Sequence, residues 1–137
     1  MKTMRKYMLS TAMVAGLLAW AALPSAASAR TLATFDVDHP FTVVKTQLAA
    51  GSYDIIEDDA LSNTLILRNT KTGKDGIFAY ETRLASRPNG QAEVVFDKVG
   101  NTEYLSEIHL DYQDGYLFPF AKEKHTHTRV KVTMKKK

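Results

Sequence analysis

Apolar positions recur at every second residue through most of the chain and almost nowhere at a helical interval. In "AEVVFD", Ala92, Val94 and Phe96 fall on one side and Glu93, Val95 and Asp97 on the other. In "SYDIIED", Tyr53 and Ile55 oppose Ser52 and Asp54. In "TEYLSEIHL", Tyr104, Ile108 and Leu110 oppose Glu103, Glu107 and His109. Successive side chains of a strand point to opposite faces, so this alternation predicts strands with one buried face each. Runs rich in Val, Ile, Thr, Tyr and Phe, bounded by turn residues, place the strands at Thr31–Val37, Phe41–Leu48, Tyr53–Asp58, Thr64–Asn69, Ile77–Ala85, Gln91–Val99, Thr102–Leu110 and His125–Met134. "SRPNG" is the strongest turn, joining Pro88 to an Asn-Gly pair that readily takes positive φ. About eight short strands of this kind predict an all-β fold, a small antiparallel barrel or sandwich. At most one short helix is expected, near residues 118–124. Between the last two strands the aromatics Tyr112, Tyr116, Phe118 and Phe120 cluster in a segment that reads as irregular. They either plug one end of the barrel or line a ligand or partner surface.

The first 29 residues break the pattern. Lys2, Arg5 and Lys6 precede an apolar run from Met8 to Leu23, and the segment closes on Ala27-Ser28-Ala29. That is the layout of a cleaved secretory signal peptide, which leaves residues 30–137 as one domain exported to a bacterial periplasm or beyond the cell. The same three bases account for the whole excess of 18 Lys+Arg over 15 Asp+Glu. The mature domain is therefore formally neutral, and with no basic stripe interleaved with aromatics it is not expected to bind nucleic acid. With no cysteine, disulfides, thiolate metal sites and cysteine nucleophiles are excluded. The strands are also too short, and charged on their second face, for a barrel that spans a membrane.

Several segments together resemble a known group. "FDVDHPFTV" leads into "LAAGSYDI", a strand "LILRN" follows, and later comes "VVFDKVGNTEYLSEI". This resembles a family of small exported bacterial β-domain proteins, abundant in Acidobacteria, whose members have no assigned biochemical function. The resemblance runs from about Phe35 to Ile108 and covers most of the mature domain. Its motifs consist of turn and core residues, so it implies a fold and no reaction. The tail "DYQDGYLFPFAKEKHTHTRVKVTMKKK" is longer than the family pattern and ends in a strand.

Chemistry-bearing residues are sparse. His125 and His127 share a strand face with Arg129 and Lys131, while Thr126, Thr128, Val130, Val132 and Met134 form the inward side. Two imidazoles two residues apart can reach one Zn²⁺ or Cu²⁺, with His109 or Glu123 as a third ligand. Against this, Arg129 and Lys131 repel a dication. The His-x-His motif of cupins also needs a later Glu and His that residues 129–137 lack. The carboxylates Glu57–Asp59, Asp111 and Asp114 sit at turns and match no calcium loop. Ser52, Ser62, Ser86 and Ser106 lie in no nucleophile elbow, and no glycine-rich phosphate loop occurs.

With no cofactor motif and no catalytic constellation, the leading expectation is a non-enzymatic binding or structural module of the envelope. Its partner would be a protein, a cell-wall component or a small apolar ligand. The alternatives are a metal-binding protein or metal-dependent hydrolase using His125 and His127, and a lipocalin-like carrier with an unfilled interior.

Overall fold

The computed structural model describes residues 29–87, 90–119 and 125–135. It is all-β: the described residues form eleven strands in one strongly curled sheet, a half-barrel, and no helix. The strands are β1 (Ala29–Val37), β2 (Phe41–Val43), β3 (Thr46–Leu48), β4 (Gly51–Asp58), β5 (Thr64–Asn69) and β6 (Asp75–Ala79), then β7 (Thr82–Leu84), β8 (Glu93–Val99), β9 (Thr102–Leu110), β10 (Gln113–Leu117) and β11 (Thr126–Met134). Their order across the sheet is β3-β2-β9-β8-β11-β1-β4-β5-β6, with β10 on the second half of β9 and β7 on β10. β1 begins at Ala29, so the expected cleavage after that residue would trim only the pair Ala29–Asp58 from the β1–β4 ladder.

The concave side is filled with side chains. Phe35, Phe41, Tyr53 and Phe96 meet in one aromatic group, with Phe41 5.3 Å from Tyr53 and 5.4 Å from Phe96 between ring centroids. Around them lie Val37, Val43, Ile55, Leu65, Leu67, Val94, Leu105, Ile108 and Leu110. Tyr116 and Phe118 are fully buried and belong to the same cluster, so two of the four aromatics in the predicted irregular segment are core. Tyr112 is 86% exposed, and Phe120 lies outside the described residues. A hollow interior of the lipocalin kind is not what these side chains leave.

The structure departs from the expected elements in several places. Phe41–Leu48 is not one strand but a hairpin, β2–β3, turned by Val44 and Lys45 with Val44 at φ 57°. A valine rarely adopts that conformation, so nothing in the sequence announces the turn. Ile77–Ala85 is likewise two strands on different parts of the sheet. The Tyr80 amide donates to the Asn63 carbonyl beside β5, and the next amide, Glu81, donates to Leu117 of β10. The chain passes from the β5 side of the sheet to β10 at that peptide.

The segment predicted as irregular contains β10, a short strand reached from β9 through Asp111 and Tyr112, with Tyr112 at φ 57°. The expected helix near residues 118–124 is not seen at Phe118 and Pro119, and 120–124 lie outside the described residues. The sheet is not purely antiparallel either, since β2 meets β9 in parallel at Thr42–Tyr104.

Finally, Tyr104 does not face inward. A bulge at Ser106 lets Val95 pair with Glu107 and Phe96 with Leu105. Leu105 and Ser106 are consequently both buried, and Tyr104 is carried to the convex face opposite Asp97.

Candidate metal centre

β11 enters the sheet between β8 and β1, which decides what faces its histidines. Thr126–Lys131 pair with β8 in the register Thr126–Lys98, His127–Asp97, Thr128–Phe96 and Arg129–Val95. Phe96 and Val94 point into the core, so Asp97, one residue on, points to the convex face beside His127. Val130, Val132 and Met134 pack against the core from the other side of β11, as the alternation requires.

Asp97, His125 and His127 form the one group of three potential metal ligands found among the described residues, with one ligand atom from each lying within 4.8 Å of the others. Asp97 has 0% exposure although it sits on the convex face. The His127 Nδ1 lies 2.8 Å from Asp97 Oδ1 and donates its hydrogen to it. The His125 Nε2 is 3.7 Å from Asp97 Oδ2, close enough for electrostatic attraction and too far for a hydrogen bond. Oδ2 is thus buried with no hydrogen-bond partner. A buried polar atom in that condition costs about 1–3 kcal/mol, and more when ionised. The imidazoles stand 4.9 Å apart at 78°, with the His125 side chain 24% exposed and that of His127 50% exposed. A dry carboxylate oxygen therefore looks outward between two imidazoles that solvent can reach.

This arrangement suits a divalent ion. Zinc bound to nitrogen and carboxylate oxygen sits about 2.0–2.2 Å from each ligand, which on a tetrahedron sets ligand atoms about 3.4 Å apart. The three side chains span somewhat more than that, up to 4.8 Å, so binding requires the His125 and His127 side chains to close on Asp97. Two imidazoles and one carboxylate favour zinc, copper or nickel over the hard, oxygen-seeking calcium and magnesium.

Of the cations expected to repel an ion, Arg129 is paired and Lys131 is distant. Glu93 accepts from Arg129 Nη1 at 2.5 Å and holds the guanidinium firmly protonated, while Arg87 Nη2 lies 3.7 Å from the same carboxylate. Lys131 is four residues beyond His127, about 13 Å along an extended strand.

His109 is not part of the group. It pairs in register with Glu93, four positions along β8 from Asp97 and so about 13 Å away. Its Nε2 instead meets Glu107 at 2.7 Å. Glu123 lies outside the described residues. The third member of the group is therefore Asp97, an acid in the strand "EVVFDKV". Its presence between Phe96 and Val99 is the signal that could have singled it out, once the neighbour of β8 was known.

Two other polar centres have structural explanations. The Tyr116 hydroxyl donates to Glu57 Oε2 at 2.7 Å, Arg30 pairs with the same carboxylate at 3.1 Å, and the Arg83 guanidinium lies 4.1 Å from the Tyr116 ring. The Tyr116 bond is the main cause holding the Glu57 carboxyl below its usual range, and burial with the Glu57 charge pushes the Tyr116 hydroxyl up. This group closes one end of the core. At the other end His39 bridges Asp38 and Glu103 and sets its ring edge toward Phe96, tying the β1–β2 turn to β9. Asp58 and Asp114 cap neighbouring turns through the amides of Ala60 and Ser86. Asp111 opens the β9–β10 turn, and Ser106 is the bulge residue.

No family model matches the chain, and no curated protein or solved structure matches it.

Proposed function

We propose that this chain is an exported, non-enzymatic β protein that holds one divalent transition-metal ion, of the zinc or copper class, at Asp97, His125 and His127. The observation that carries this reading is Asp97 Oδ2, a buried carboxylate oxygen without a hydrogen bond, directed between two accessible imidazoles. Buried polar atoms are paired in the great majority of cases, so the unmatched oxygen together with a second histidine 3.7 Å from it supports a bound cation. Export rests on the residue pattern of positions 1–29 and on the resemblance of Phe35–Ile108 to exported bacterial proteins. The filled concave face argues against a carrier of apolar ligands.

The test is the metal content of the mature protein produced without a polyhistidine tag, followed by calorimetric titration of the metal-free form with Zn²⁺. One ion per chain, lost in His127→Ala and retained in His109→Ala, is the expected result. Absence of saturable binding would sink the reading.

A second reading, a metal-dependent hydrolase, draws on the same geometry. Three protein ligands leave a coordination position toward solvent, where a bound water can be activated. Zinc-dependent cleavage of an activated ester, abolished by Asp97→Asn, would favour it over simple binding.

A further inference from the structure

Two of the three ligands stand at the start of the C-terminal strand, and that strand has an unusual place in the fold. β11 pairs with β8 through Thr126–Lys131 and with β1 through Val132–Met134. It is the strand that joins β1, β4, β5 and β6 to β8, β9 and β2. Yet none of its nine residues is buried, whereas β4, β5, β8 and β9, which flank or continue the same sheet, each contribute several fully buried side chains. Val130, Val132 and Met134 touch the core only with partly buried side chains. A strand with few buried apolar contacts is expected to open at a low free energy. When it leaves, the edges of β8 and β1 face one another across a slot one strand wide.

Along the half of β11 that carries the histidines, the grip is on β8 alone, since pairing with β1 starts only at Val132. At that half, the candidate ion would link His125 and His127 to Asp97 of β8.

We propose that the metal ion is a latch on the terminal strand: bound, it pins β11 to β8; released, it lets β11 detach and opens the seam between β8 and β1. The inference rests on the metal reading above, because an ion held by both strands must dissociate before they separate. Detachment of β11 then requires loss of the ion as well as of the ladder. At a free-ion concentration of 100 times Kd, the population of the open form falls about 100-fold.

Native-state hydrogen exchange on the full mature chain reads this directly, with Zn²⁺ as the probe. In the metal-free protein the amides of β11 that bond across the ladder are expected to exchange faster than those of Ile55 and Leu67 in β4 and β5, through an opening separate from global unfolding. With zinc at 100 times Kd they slow about 100-fold. In Asp97→Asn, and in His127→Ala should the former fold poorly, they stay at the metal-free rate. Tryptic cleavage after Arg129 and Lys131 follows the same opening and slows with it. Zinc bound by calorimetry with β11 exchange unchanged overturns the latch while leaving the metal reading intact. So does metal-free exchange of β11 as slow as that of β4 and β5, which would mean the strand opens only when the whole domain unfolds. No zinc binding at all overturns both.

Discussion

Asp97→Asn keeps the shape of the side chain and removes its charge, so it separates the two roles that the structure gives this residue. In metal-free protein the carboxylate is buried with one oxygen bonded to His127 and the other unmatched. Asparagine keeps an oxygen to accept from His127 Nδ1 and turns a neutral amide toward His125 Nε2, which needs to close from 3.7 Å to form a hydrogen bond. Once that bond forms, relief of the unmatched oxygen is worth about 1–2 kcal/mol. For a domain of this size that raises Tm by about 4–8 °C per kcal/mol. With zinc at 100 times Kd the native protein gains about 2.7 kcal/mol, and the variant, lacking the carboxylate ligand, gains little. The order of stability therefore reverses: the variant is the more stable in chelator and the less stable in zinc. Thermal unfolding followed by circular dichroism at pH 8, with EDTA and then with zinc, measures both arms. A variant less stable than native by more than about 1 kcal/mol in EDTA, or one that gains as much from zinc as native does, refutes the reasoning.

Other substitutions test separate links. His125→Ala and His127→Ala should each weaken zinc binding by about 100-fold, a typical loss when one contributor to a metal site is removed, and calorimetry should find His109→Ala unchanged. Glu57 has a carboxyl held below its usual range by the Tyr116 hydroxyl. Its contribution to stability is therefore present above the unfolded-state pKa of about 4.3 and is lost as the pH falls through the lower folded value. Urea midpoints at pH 5.5 and pH 3 should converge in Tyr116→Phe relative to native, and an unaltered acid limb contradicts the assignment. At Gly115 a Cβ would overlap the Ile108 carbonyl oxygen. Gly115→Ala should therefore cost about 2–3 kcal/mol by forcing β10 from β9, read as a lower urea midpoint; a change under about 0.5 kcal/mol would show that the strands part freely there.

The amphipathic strands were legible because their signal is local. β5 and β9 run between the residues that the alternation marks, and Tyr53, Ile55, Val94 and Phe96 face the core as it requires. What the pattern hid were the places where backbone geometry departs without a turn residue to show it. Val44 reverses the chain, Tyr80 and Glu81 send it from β5 to β10, and Ser106 inserts an extra residue that turns Tyr104 outward. The metal centre was half legible for the same reason. His125 and His127 advertise themselves by spacing, but their carboxylate partner is fixed by the pairing of β11 with β8, a contact between residues some thirty positions apart. Strand order is not written in periodicity, so His109 and Glu123 were the candidates for the third ligand and Asp97 was not among them. The apparent objection from Arg129 dissolved in the same way, since its partner Glu93 lies on that same neighbouring strand.

One ion bound between Asp97, His125 and His127 would be read in the imidazole resonances themselves. The chain has four histidines, at positions 39, 109, 125 and 127, and a ¹H–¹⁵N spectrum of the side chains observes them together during a zinc titration. The account predicts that His125 and His127 shift together and saturate at one equivalent while His39 and His109 stay in place. Gradual movement of all four without saturation, or a response centred on His109, would contradict it.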